Sequence, residues 1–198
     1  SFEALLVLGV FGLYCYDSFM LLNFNELIFI RFEKKWSYKF PILGLQLLRK
    51  FPFLPNLLTP NVPLFQVFWP SRDQGLNTKE LDTFIKSALP IQIISVLLLL
   101  LMFIGLPIIA FTYGSSVKLL IIFSTIYSLI VCILIYIFNQ KHNLKLSNTK
   151  FLSIAFESIV CPPFALNMVR KISLNFPMNV DPYIFSKKMF EEETKKSF

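Results

Sequence analysis

Three long apolar runs, 1–24, 91–111 and 117–138, limit what this 198-residue chain can become. About 20 apolar residues make a helix that crosses the roughly 30 Å hydrocarbon core of a bilayer. Backbone in that core must satisfy its own hydrogen bonds, so helices are the expected form. Hydrophobic residues make up 55% of the chain. Soluble domains reach about 45–50% on a count that also includes glycine. The sequence therefore predicts an all-α membrane protein with three transmembrane helices, amphipathic interfacial helices and a small irregular or β cytoplasmic segment.

The charges fix an orientation. Nine Lys/Arg lie between positions 25 and 86 and nine more after 138; only Lys118 falls elsewhere. Basic residues collect on the cytoplasmic side of membrane spans. The expected topology puts the N-terminus outside and the C-terminus inside, with a bacterial inner membrane as the home this charge bias points to. Organellar or endoplasmic-reticulum membranes are the alternatives. The net charge of +7 then reads as attraction to anionic phospholipid headgroups, carried by Lys34, Lys35, Arg49, Lys50, Arg170 and Lys171. Nucleic acid is not an expected partner, since no basic-aromatic reader motif occurs.

The chain divides into one membrane unit with five parts. Segment 1–24 is the first span. It lacks a basic leader and an A-x-A site, which favours a retained span over a cleaved signal. Segment 25–76 is a proline-rich cytoplasmic stretch. Within it "ELIFIRFEKKWSYKF" is either a short hairpin of β-favouring residues or the end of a long first helix. Pro52, Pro55, Pro60, Pro63 and Pro70 exclude a continuous helix beyond it. Segment 77–111 is an amphipathic helix leading into the second span, with Asn77 and Glu80 as a capping pair. Pro90 and Pro107 are expected to kink or break it. The third span is 117–138. Segment 139–198 is an amphipathic tail. Its helices, one capped by Ser147, Asn148 or Thr149 and one carrying Arg170 and Lys171 on its polar side, are expected to lie in the interface plane. Another short helix is expected from Asp181 onward.

Asp17 is the one feature in the spans that hints at chemistry. A carboxylate inside a span is costly by a few kcal/mol and marks a functional position by default. Tyr14, Asp17 and Ser18 fall on one helical face, predicting a polar stripe that meets protein rather than lipid. Three roles are open to it: a hydrogen-bonded acid holding helices together, a contact to another subunit, or an ion or proton relay. Gly9 and Gly12 form a G-x-x-G face that favours close helix contact.

Catalytic and metal patterns are missing. There is a single His, His142, just past the third span, and three scattered Cys at 15, 132 and 161. That spacing gives no disulfide framework and no metal site; the sequence predicts no cofactor. Cys161 and His142 are the only conceivable nucleophile–base pair, and Cys161 is also a position for acylation. The leading functional expectation is a non-catalytic accessory or assembly subunit of a larger membrane complex. A homo-oligomeric channel or carrier using Asp17 is the alternative, and a lipid-acting enzyme using Asp17, His142 and Cys161 the third.

Overall fold

A computed structural model describes residues 2–22, 28–32, 35–39, 57, 60–66, 78–113, 116–178 and 187. The expected helix from Asp181 onward and the Asn77 cap lie outside the described residues. Three helices are long and apolar enough to cross a membrane.

The first is α1 (Phe2–Leu22). Its 21 residues rise about 31 Å at 1.5 Å each, which matches the hydrocarbon thickness. After it the chain forms β1 (Ile28–Phe32) and β2 (Lys35–Lys39), paired antiparallel with Phe32 opposite Lys35. The hairpin alternative is thus the one adopted. The register sets Phe29 opposite Tyr38 and Arg31 opposite Trp36. A third strand, β3 (Leu64–Gln66), adds antiparallel to the other side of β1. It follows Pro63 directly, an edge-strand position where a missing N–H is tolerated.

The second span begins as α2 (Thr78–Leu100) and runs through Pro90 without a break. One turn before that ring, the Tyr136 hydroxyl donates to the Ser87 carbonyl at 3.1 Å. An outside donor of this kind lets span helices keep a proline. Pro107 is handled differently. Residues Leu101–Gly105 form a π-helical turn, in which the Leu106 N–H reaches back five residues to the Leu101 carbonyl. The wider turn makes room ahead of the proline, whose ring would otherwise crowd the preceding helical carbonyls. Helix α3 (Leu106–Tyr113) completes the span.

Gly105 lets the second and third spans approach. A Cβ there would stand 3.1 Å from Cδ1 of Ile122 on α4 (Ser116–Gln140). Gly105→Leu forces these helices apart. It is expected to cost about 1–3 kcal/mol, the usual range for overpacking, while Gly105→Ala costs little because a flexible methyl is the only neighbour to shift. Thermal melting of both variants in mild detergent checks this.

After α4 the chain turns back sharply, with Lys145 in the left-handed region (φ 52). Ser147 caps α5 (Asn148–Val160), its side chain accepting from the Lys150 N–H. This helix packs against the third span. It runs antiparallel along α4. Near its start Phe151 packs on Phe138, ring centroids 5.5 Å apart. At its end the Ile159 carbonyl accepts from the Tyr127 hydroxyl at 3.3 Å. Tyr127 sits near the middle of α4.

The Cys161-Pro162-Pro163 turn is the tip. Pro162 and Pro163 open a 3-10 helix, Pro162–Asn167, which leads into α6 (Met168–Leu174). A helix start normally leaves unpaired N–H groups. Two prolines remove two of those donors, and the Phe164 N–H bonds the Cys161 carbonyl at 2.9 Å. The tip is thus suited to a place without water. From there the chain descends. Ser173 Oγ accepts from the Leu64 N–H of β3 at 2.9 Å. Phe176 packs on Phe84 and Phe65, with centroids 4.7 and 5.9 Å away. Residues 148–174 form a helical hairpin that rises beside α4 and returns to the side where the sheet sits.

Candidate functional site

The hairpin meets α1 through a buried set of charges. Tyr14, Asp17 and Ser18 occupy one face of α1, as their spacing predicts, and all three are buried. The opposing side chains come from the hairpin: Glu157 on α5, Asn167 at the end of the 3-10 turn, and Arg170 and Lys171 on α6.

Lys171 is the centre of the set. Its ammonium lies 3.0 Å from Asp17 Oδ1 and 2.8 Å from Glu157 Oε2. It also stands over the Phe164 ring at 4.9 Å, a favourable place for a cation. Asn167 closes the other side of Asp17. Its Nδ2 donates to Asp17 Oδ2 at 2.9 Å and to Ser18 Oγ at 3.0 Å, and its Oδ1 accepts from Arg170 at 3.2 Å. Arg170 sits beside Tyr14 and Asp17. The Tyr14 hydroxyl itself donates to the Leu57 carbonyl. Glu157 has a further donor in Ser153, at 2.9 Å.

Two acids and two bases thus balance. Asp17 and Lys171 are each only 7% exposed, and Arg170 1%. Charges this far from water persist only where opposite charges and hydrogen bonds replace the solvent. Both carboxylate oxygens of Asp17 have a donor. Chemically the arrangement is a lock: it binds two parts of the chain 150 residues apart and holds its acid in closed pairs rather than open to a path.

This corrects the expected role of Arg170 and Lys171. They do not face headgroups from a surface helix. The 3-10 turn rotates α6 so that all seven of its residues are buried, and both cations turn toward α1. Of the other basic candidates, Lys35 opens β2, while Lys34, Arg49 and Lys50 lie outside the described residues. Gly9 and Gly12 make no close contact within the described chain; a Cβ on either meets nothing within 4 Å. Cys161 and His142 do not form a pair. His142 lies in the turn before α5 and Cys161 at its far end, and a 13-residue helix is roughly 20 Å long.

Glu157 and Asn167 were missed in the sequence. A signal exists: Glu157 is the only acid between positions 148 and 180, and it precedes two bases across a proline break. An acid and bases on either side of a helix breaker, inside apolar sequence, mark a hairpin that pairs its own charges.

A second feature concerns α4. Ser124, Ser128 and Cys132 recur every fourth residue at its centre, with Thr125 alongside, and all four are exposed. Two of the hydroxyls are turned onto their own helix: Ser128 donates to the Ser124 carbonyl at 2.8 Å and Thr125 to the Ile121 carbonyl at 2.9 Å. What remains outward is a shallow strip of small side chains between larger ones such as Leu120 and Ile135.

No protein-family model, curated protein or solved structure matches this chain.

Proposed function

We propose that this chain is a non-catalytic accessory or assembly subunit of a larger membrane protein complex. The observation that carries the reading is the strip of Ser124, Thr125, Ser128 and Cys132 on the exposed side of α4. Small residues repeated every fourth position let helix backbones approach closely, which is how helices associate in lipid, where no hydrophobic drive separates them from their surroundings. Among the described residues nothing occupies the strip. A span helix of a partner protein is its natural complement. The first span adds to this: only 17% of its most apolar window is buried inside the chain, and Gly9 and Gly12 lie on its open side.

The closed state of Asp17 weighs against the channel reading, since an acid fixed between Lys171 and Asn167 is a poor carrier of ions. The roughly 20 Å between His142 and Cys161 weighs against the enzyme reading. The charge distribution supports a bacterial inner membrane, with the N-terminus outside, the sheet and the C-terminal segment on the cytoplasmic side, and anionic headgroups nearby.

The test is affinity isolation of the tagged chain in mild detergent, with native mass and identification of what accompanies it. The expected result is a reproducible set of different membrane proteins, lost from a Ser124→Leu/Ser128→Leu variant that still melts like the parent. A monomer with no companion overturns the proposal. A ring of identical chains replaces it with the conduit.

A further inference from the structure

A cleft of about 220 Å³ opens at the hairpin tip. Its walls come from every membrane-associated element: Val10 and Leu13 of α1, Met102 and Leu106 of the second span, Ile126 of α4, and Cys161 at the tip. Val10, Leu13 and Ile126 fall near the middle of their spans. Tyr127, also at the cleft, has its hydroxyl committed to the Ile159 carbonyl. The lining therefore offers a headgroup no charged partner. The charged lock lies lower, one to two turns further along α1.

The surroundings say what fills such a place. The rim continues directly into the lipid-facing surface, because Leu13, Tyr127 and Val160 all line the cleft and are all exposed. At this depth the neighbouring medium is hydrocarbon. A dry apolar cavity of about 150 Å³ already takes benzene, so this cleft has room for a length of alkyl chain. Left empty, its walls forfeit the dispersion contacts that a chain supplies. Water gains too few polar partners there to stay.

We infer that the cleft is a binding site for one acyl chain of a membrane phospholipid, held between α1 and the hairpin tip with its headgroup outside the cleft. This inference does not depend on the chain having protein partners. The chain acts as a filler that lets the hairpin tip stand at mid-membrane depth without a void.

The experiment reconstitutes the full chain in vesicles of phosphatidylethanolamine and phosphatidylglycerol. The vesicles contain a phosphatidylglycerol that bears a diazirine midway along one acyl chain. After irradiation, adducts are mapped by peptide mass spectrometry. The expected result is a concentration of adducts on the tip peptide around Val160 and Cys161 and on the α1 peptide around Val10 and Leu13. Val10→Trp, which fills the cleft, is expected to lose most of the tip adduct. Leu8→Trp, on the outward side of the same span at 68% exposure, is expected to keep it. Adducts spread evenly over lipid-facing positions such as Leu5, Leu120 and Ile121 in the unmodified chain would overturn the inference. So would a tip adduct undiminished in Val10→Trp. The mapping on the unmodified chain decides the matter even where the tryptophan variant does not fold.

Discussion

Lys171→Met is expected to destabilise the protein by about 3–5 kcal/mol, the range for removing one partner from a buried ion pair. For a chain near 200 residues that is a fall of roughly 10 °C in melting temperature. The methionine fills much of the space left by the lysine stem. What it cannot supply is charge: Asp17, 7% exposed, and Glu157 then face one another with no cation between them. Asp17→Asn/Lys171→Met is expected to recover most of the loss. The amide at position 17 keeps its contact to Asn167 Nδ2, and replacing both members of a buried pair by neutral groups of similar volume is often close to free. The double-mutant cycle isolates the pair. Melting is followed by the loss of the monodisperse elution peak in mild detergent. A Lys171→Met variant that melts with the parent would show that the lock contributes nothing. A double variant no better than the single would show that Lys171 acts through Glu157 and not Asp17.

The second large effect concerns the depth of the hairpin tip. With Cys15 and Cys132 replaced by Ala, Cys161 is the only thiol left. A negatively charged, membrane-impermeant maleimide added to both faces of the membrane is expected to leave it unlabelled, and an uncharged lipophilic maleimide is expected to react. The thiolate is the reacting form, so both rates fall in hydrocarbon. The useful quantity is their ratio, normalised to the same protein after denaturation. His142→Cys in a chain without the three native cysteines is the reference. It places a thiol at the exposed turn before α5 and is expected to react with both reagents. Equal labelling of Cys161 by the charged reagent would place the tip in water and not in hydrocarbon.

Much of this architecture was legible in the order of residues. The spans show because a bilayer sets one length, about 20 apolar residues, and the chain repeats it three times. The Tyr14–Asp17–Ser18 stripe follows from helical spacing together with the cost of leaving a carboxylate in lipid. The β1–β2 hairpin was half legible: Ile, Phe, Trp and Tyr favour strands, but their alternation is too irregular to exclude a helix. The hairpin of α5 and α6 was not legible, for a physical reason. A 13-residue amphipathic helix reads the same whether it lies on a membrane or dips into one. Its depth is set by partners far away in sequence, Phe138 and Tyr127 on α4 and Asp17 on α1. Arg170 and Lys171 misled in the same way. Cations beside an apolar segment ordinarily meet headgroups; here an acid about 150 residues earlier makes burial tolerable.

That separation has a consequence for biosynthesis. Translation proceeds at about 5–20 residues per second, so the segment bearing Asn167 and Lys171 follows α1 by on the order of ten seconds. During that interval Asp17 of the first span is without its partners Lys171 and Asn167. The set closes when α5 and α6 follow and bring Lys171 and Asn167 to Asp17. Each half is costly to insert alone, and each removes the other's cost. Closure of the buried charge set therefore waits on a segment made about 150 residues after Asp17.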